Sequence, residues 1–344
     1  MFASLPLTAI VAVFAASALI IAICGVIMTG RADTLADRTG LGEAMVGAVV
    51  LGAATSLSGT VVSVSAALDG RASLAFSNSV GGIAAQTAFL AIADMTFRRA
   101  NLEHAAAEAT NLIQGVLLIF LLALPVAAMA APEVTIWAVH PVSFAIPLIY
   151  VFGLAVSRRV REDPMWKPVR TPETRHDTPD EEDGETARKS TLRLTSEFLL
   201  LMAAMGLAGY AIAQSASTII DRIGVSASLV GALMTAVATS LPELVTTIAA
   251  VRRGALQLAV GGIIGGNMFD TLFLTLADTA YRDGSLYHAA TDQDFFWVAV
   301  AVLMTAALLA GLITRERHGP VRMGIDSIGL LGIYAIAIAV QLVL

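Results

Sequence analysis

Apolar residues fall along this chain in uninterrupted runs of about 20, each long enough to cross the hydrocarbon core of a bilayer. Taken in order they predict about ten spans, at roughly 5–28, 41–68, 72–96, 110–131, 133–156, 194–219, 225–251, 255–279, 292–313 and 323–343. Polar residues interrupt the runs in short bursts. Asp69-Gly70-Arg71 and Arg252-Arg253-Gly254 leave room only for helical hairpins. One hydrophilic stretch is long, Ser157 to Arg193. It holds Pro164, Pro168, Pro172, Pro179 and the acidic run Asp180-Glu181-Glu182-Asp183-Gly184-Glu185. Low hydrophobicity with clustered charge reads as a flexible linker, and the alternating acids of an EF-hand loop are missing from it. The expectation is an all-α polytopic membrane protein with halves 1–156 and 194–344 joined by linker 157–193.

Composition agrees. Of the residues, 57% are hydrophobic and 14% charged, against about a quarter charged in a soluble domain. The net charge of −6 adds little, because the acids concentrate in the linker. Basic residues set an orientation. With the N-terminus outside, the loops after spans one, three, five, seven and nine hold all of the 21 lysines and arginines except Arg71, Arg222 and Arg282. The excess of positive charge marks the cytoplasmic side, which puts both termini outside a cell (inner) membrane and the linker in the cytoplasm. Five spans per half is an odd number, so the halves insert upside down relative to each other. That is the plan of many secondary transporters. The first run has no basic start or cleavage site and reads as a span. Cys24 is the single cysteine, which rules out a disulfide framework and a thiolate metal site. No nucleophile–base motif, phosphate loop or zinc signature points to an enzyme, and nothing suggests a nucleic-acid partner.

The chemistry concentrates between Gly231 and Ala280. Ala238-Thr239-Ser240-Leu241-Pro242-Glu243-Leu244 puts a proline and a carboxylate inside an apolar run. A charge at membrane depth costs a few kcal/mol even on the mildest scale, so it marks function by default. The proline frees backbone carbonyls, and loose carbonyls beside a carboxylate make a cation site. Gly265-Gly266-Asn267-Met268-Phe269-Asp270 follows. The whole stretch aligns without a gap with Gly47 to Thr96, at a constant offset of 184. Thr55/Thr239, Ser56/Ser240, Leu57/Leu241, Gly81/Gly265, Gly82/Gly266, Thr87/Thr271, Phe89/Phe273 and Asp94/Asp278 are identical pairs. Asp94 and Asp278 recur near span ends, where capping is the favoured role. His140 falls within span five beside Pro141, where a bond to a carbonyl freed by the proline is expected.

On Thr239-Ser240-Leu241-Pro242-Glu243 and Gly265-Gly266-Asn267-Met268-Phe269-Asp270 the chain resembles the cation/calcium antiporter superfamily, whose best-known members are sodium/calcium exchangers. The resemblance implies ten membrane helices in two inverted halves, each with a G-T-S-x-P-E motif and a later G-S-N motif. It implies cation-binding roles for Glu243, Thr239, Ser240 and Asn267, and for Thr55 and Ser56 in the first half. The first repeat departs from the pattern. It reads Ala54-Thr55-Ser56-Leu57-Ser58-Gly59, so Gly59 stands where the family has a glutamate. Ile83 stands opposite Asn267, Gln86 opposite Asp270, and Asn78 fills an asparagine position of the repeat.

Calcium takes six to eight oxygens and charge count helps set its affinity. With Gly59 uncharged, Asp270 is the candidate second metal-ligating carboxylate beside Glu243, three residues beyond Asn267 on nearly the same helix face. Thr55, Ser56, Asn78 and Gln86 line the other wall. Burial penalises an ionised carboxylate, so the proton is also a cation that Glu243 can carry. The expectation is a secondary antiporter working by alternating access. It exchanges Ca2+ or a monovalent cation against Na+ or H+, with those ions as substrates and no cofactor. Its partners are inorganic cations and the lipid bilayer. The alternative is a transport-inactive homologue serving as a membrane sensor or assembly partner, motivated by Gly59.

Overall fold

The computed structural model describes residues 4–39, 55–97, 101–169, 171, 190–317 and 323–343. The whole stretch of the expected second span before Thr55 lies outside them, as does the acidic run of the linker. Among the described residues the regular structure is helical, apart from one isolated bridge between Ile136 and Val139. Among the described residues, seven helices are long and apolar enough to cross a membrane. They are Leu7–Met28 within a longer helix, Ala109–Ala130, Pro141–Glu162, Thr191–Ile223, Leu256–Ala280, Asp292–Thr314 and Ile325–Val343. A helix pair bent by 47°, Ala227–Thr239 with Leu241–Arg252, makes an eighth if it is one span.

The centre is α3 (Ala72–Asp94), preceded by α1 (Leu7–Thr39) and α2 (Leu57–Leu68). Every residue of α3 but Ser73 and Ile92 is buried. Its middle is built of small residues, Ser77-Asn78-Ser79 and Gly81-Gly82, which let neighbouring backbones approach closely. Then come α4 (Leu102–Ala105), α5 (Ala109–Ala130), α6 (Pro141–Glu162) and α7 (Thr191–Ile223). A main core collects around α3, from Leu74, Phe76 and Ile83 to Trp297 and Met304. A smaller one joins α1 and α7 through Ile21, Met28, Met205 and Ile212. Gly224 stops α7 in the left-handed region at φ 73°, where a Cβ is disfavoured.

In the second half, α8 (Ala227–Thr239) contains a π-helical turn over Val230–Thr235, a form frequent at functional sites. It breaks at Ser240 and restarts as α9 (Leu241–Arg253), with Pro242 in the first turn, where its missing N–H costs nothing. α10 (Leu256–Asp270) and α11 (Leu272–Ala280) meet at Thr271. α12 (Leu286–Ala289), α13 (Asp292–Thr314) and α14 (Ile325–Val343) complete the chain. The offset found in the sequence continues into the geometry. α1 and α7, 33 residues each, start at equivalent positions, as do α4 and α12, and α6 and α14.

Two expectations are corrected. The fifth span does not begin near 133: the chain turns through residues 132–140, and α6 starts at Pro141. His140 is therefore the helix cap rather than an interior residue, and its Nδ1 accepts from the Val142 amide at 3.2 Å instead of bonding a freed carbonyl. Pro141 rests at the first helical position, where it frees no carbonyl.

Gly81 and Gly231 mark where α3 and α8 cross. A Cβ on Gly81 would lie 2.8 Å from the Ala232 carbonyl oxygen and overlap its Cα, and one on Gly231 would overlap the Ser77 hydroxyl. Gly81→Val therefore forces two central backbones apart. A loss of about 3 kcal/mol of stability is expected, read as a drop in thermal midpoint of the purified protein.

Candidate functional site

The break between α8 and α9 faces the middle of α3 and the end of α10, and polar residues of these elements meet there. Glu243 is in the first turn of α9, where the helix dipole favours negative charge. Asp270 closes α10. Both are buried, at 8% and 2% exposure. They lie close enough for the charge of one to act on the other.

Asp270 is held on three sides. Ser56 Oγ donates to its Oδ1 at 2.8 Å, Gln86 Nε2 to its Oδ2 at 2.6 Å, and Ser79 Oγ to its backbone carbonyl at 2.7 Å. Gln86 Nε2 also reaches Ser240 Oγ at 3.2 Å. Gln86 and Asp270 are mates under the 184-residue offset, as are Ser56 and Ser240. The two halves thus meet at equivalent positions, with a neutral amide on one side and a carboxylate on the other. Glu243 accepts from the Thr55 hydroxyl. Asn267 Nδ2 donates to Thr87 Oγ1 at 3.0 Å.

These bonds leave a set of bare oxygens. Glu243 Oε2, Gln86 Oε1 and Asn267 Oδ1 are buried and without a hydrogen-bond partner. A buried acceptor with no donor is unfavourable by about 1–3 kcal/mol, and more for a charged one. Such oxygens are the donors a hard cation takes, and among the described residues no lysine or arginine acts on either carboxylate. A Cβ on Gly266 would come within 3.3 Å of Gln86 Oε1, so the glycine there keeps that oxygen uncrowded.

The structure sorts the expected residues. It gathers Glu243, Asp270, Ser56, Thr55, Gln86, Ser240 and Asn267. Thr239 is at the break, but its hydroxyl bonds back to the carbonyls of Thr235 and Ala236. Asn78 is a correction. Its amide donates to Gly59 O and Ser63 Oγ, and its oxygen accepts from Thr235, so it ties α2, α3 and α8 together without touching either carboxylate. Three contributors were missed. Ser79 and Thr87 orient Asp270 and Asn267. Phe273 fills the space beside Gly59, where a Cβ would come within 2.7 Å of the ring. The pairing of Phe89 with Phe273 under the offset was the available signal.

Asp94 and Asp278 act as caps, as expected. Asp94 accepts from the Leu102 amide at 2.8 Å and the Gly324 amide at 3.1 Å. Asp278 accepts from the Leu286 and His140 amides, both at 2.8 Å.

The chain is similar to known exchangers by sequence and by fold. It matches the family described as sodium/calcium exchanger protein over residues 9–157 and 195–343. The putative antiporter CaxA of Alkalimonas amylolytica is 33% identical over 134 residues, 39% of this chain and 39% of that protein. The inner membrane protein YrbG of Escherichia coli (strain K12) is 28% identical over 106 residues, 31% of each chain. Among solved structures, the sodium-calcium exchanger NCX_Mj superposes with a TM-score of 0.62 at 15% identity, covering 97% of this chain and 99% of that one. The H+/Ca2+ exchanger CAX superposes with a TM-score of 0.67 at 12% identity, covering 97% and 86%. Both solved structures are of exchangers, and their likeness establishes the fold. With the family matched over both halves and the polar cluster placed between them, this chain is an integral membrane protein that belongs to the sodium/calcium exchanger family.

Proposed function

We propose that the chain is a secondary cation antiporter in which Glu243 and Asp270 bind the transported ion. The halves 1–156 and 194–344 are read as five-helix repeats of inverted orientation, ten spans in all, joined by the cytoplasmic linker 157–193. Both termini face outward from the cell (inner) membrane. The observation that carries the reading is the set of bare buried oxygens around two carboxylates at a helix break. Ser56 and Gln86 hold Asp270, and Thr55 holds Glu243. Gln86 Oε1 and Asn267 Oδ1 add neutral ligands. Two negative charges neutralise one Ca2+, or accept Na+ or H+ one at a time. That gives exchange of Ca2+ or a monovalent cation against Na+ or H+ a common site, reached alternately from each side as the halves rock about it. The ions are substrates, and no resident cofactor is needed.

The test is uptake of radiolabelled calcium into proteoliposomes under an outward sodium gradient and then an outward proton gradient. Gradient-driven uptake is expected under at least one. If calcium does not move, radiolabelled sodium against protons is the second arm. The aromatic ring over Gly59 favours one rival reading, a transport-inactive sensor or assembly partner. Flux of neither ion under any gradient is the outcome that selects it.

A further inference from the structure

The offset that relates the two halves also relates two corners, one at the end of α3 and one in α11. At one, Ser143 Oγ donates to Asp278 Oδ2 at 2.7 Å and lies 2.8 Å from the Tyr287 hydroxyl. At the other, Ser327 Oγ lies 2.9 Å from Asp94 Oδ2 and 3.2 Å from Glu103 Oε1. Asp94, Leu102, Glu103 and Ser327 stand position for position where Asp278, Leu286, Tyr287 and Ser143 stand. A glutamate has replaced a tyrosine.

A serine hydroxyl carries one proton. Ser143 gives its proton to Asp278, so the tyrosine is the donor to Ser143. Asp94 already accepts two backbone amides and takes the proton of Ser327 as well. The remaining Ser327–Glu103 contact is a hydrogen bond only if Glu103 donates, which requires a proton on its carboxyl. A second observation agrees. Glu103 is 1% exposed, and its Oε2 has no hydrogen-bond partner.

We propose that Glu103 is a stationary proton-binding site: as a neutral acid it latches α4 to the start of α14, as the Tyr287 phenol does at the opposite corner, and losing the proton releases the latch. The charged groups that act on it are Asp94 at the end of α3 and Asp326 in the first turn of α14. Glu316, before α14, bears on Asp326. On the same side, Arg315 donates to the carbonyls of His104 and Val169, and His104 bonds Arg315 O and Thr171 Oγ1. Burial first, and then the charge of Asp94, push the Glu103 acid up to about 7. The acid is raised, so the latch is complete below the ordinary carboxylate range and is lost as pH rises through about 7. α3 also carries Gln86, so the proton acts on a helix that contributes to the cation site.

The test uses the purified full-length protein in a Glu243→Gln/Asp270→Asn background, which silences the cation-site acids. Infrared difference spectra between about pH 5.5 and pH 8.5 should show loss of a protonated-carboxyl band with a midpoint near pH 7. Glu103→Gln should remove that band. Its amide donates at every pH, so its thermal midpoint should stay level where that of the parent falls by about 3 °C or more. Glu103→Tyr, copying the other corner, should also be level. An unchanged band or an unchanged pH slope in Glu103→Gln overturns the proposal. If that variant does not fold, the parent spectrum decides, and no carboxyl titrating near neutrality overturns it. Transport plays no part in these readouts, so they stand or fall apart from the antiporter reading.

Discussion

Replacing Glu243 with glutamine is expected to reduce gradient-driven cation flux by about 100-fold or more in proteoliposomes, about 2.7 kcal/mol at 1.36 per tenfold. The substitution keeps the side chain's size and leaves an amide oxygen able to contact the ion. It removes the charge. In a buried site an ion and its carboxylates attract strongly, and an ion left half-neutralised is unfavourable by several kcal/mol. Asp270 alone cannot make up the difference, because Ser56 and Gln86 already donate to its two oxygens. Stability should hardly change. Glu243 Oε2 is buried without a donor, so an uncharged amide there costs the fold little. A thermal midpoint unchanged within about 2 °C, beside absent flux, separates a lost ligand from a misfolded protein. Flux equal to that of the unmutated protein would end the assignment of Glu243 as the ion-binding carboxylate.

The second large effect is expected at Gly59. Gly59→Glu alone should lower stability, because its Cβ would come 2.7 Å from the Phe273 ring. Overpacking of this kind commonly costs about 1–3 kcal/mol, and a buried carboxylate adds to it. Gly59→Glu with Phe273→Ala removes the ring that takes the space. The double variant should fold and should bind Ca2+ about tenfold or more tightly than the unmutated protein, since a third carboxylate raises the charge offered to a divalent ion. Calorimetry with Ca2+ and with Na+ reads this directly. Equal Ca2+ affinity in the double variant would show that position 59 does not face the ion. Phe273→Ala alone serves as the control, as it opens space without adding charge.

Much of this molecule is legible in its sequence. Pro242 and Glu243 inside an apolar run implied a broken helix with a carboxylate at the break, and the chain does bend by 47° there. The 184-residue offset makes Gln86 and Asp270 equivalent positions of the two halves; that they meet, 2.6 Å apart, is visible only in the structure. Asn78 was misplaced because a motif position says which helix carries a residue, not which face it turns to its neighbours. Its partners come from α2 and α8, and the crossing of those helices is set by Gly81 and Gly231. His140 was misplaced because a turn enriched in apolar residues reads as part of a span; Trp137, in that turn, is 89% exposed.

The sequence by itself determined the class of the protein, its two related halves and the residue types at its centre. Span length, charge placement and an internal repeat are properties of the chain read along its length, and they need no contact to be visible. Only the tertiary structure decided which oxygens stay bare. Ser56 and Gln86 satisfy Asp270, Thr87 takes the amide of Asn267, and Thr239 is turned back on its own helix. It also decided that Phe273 occupies the space beside Gly59 and that Ser327 has two acids to serve with one proton. Hydrogen-bond satisfaction and the filling of space are settled between helices distant in sequence, so they follow from how close the backbones come rather than from the order of residues.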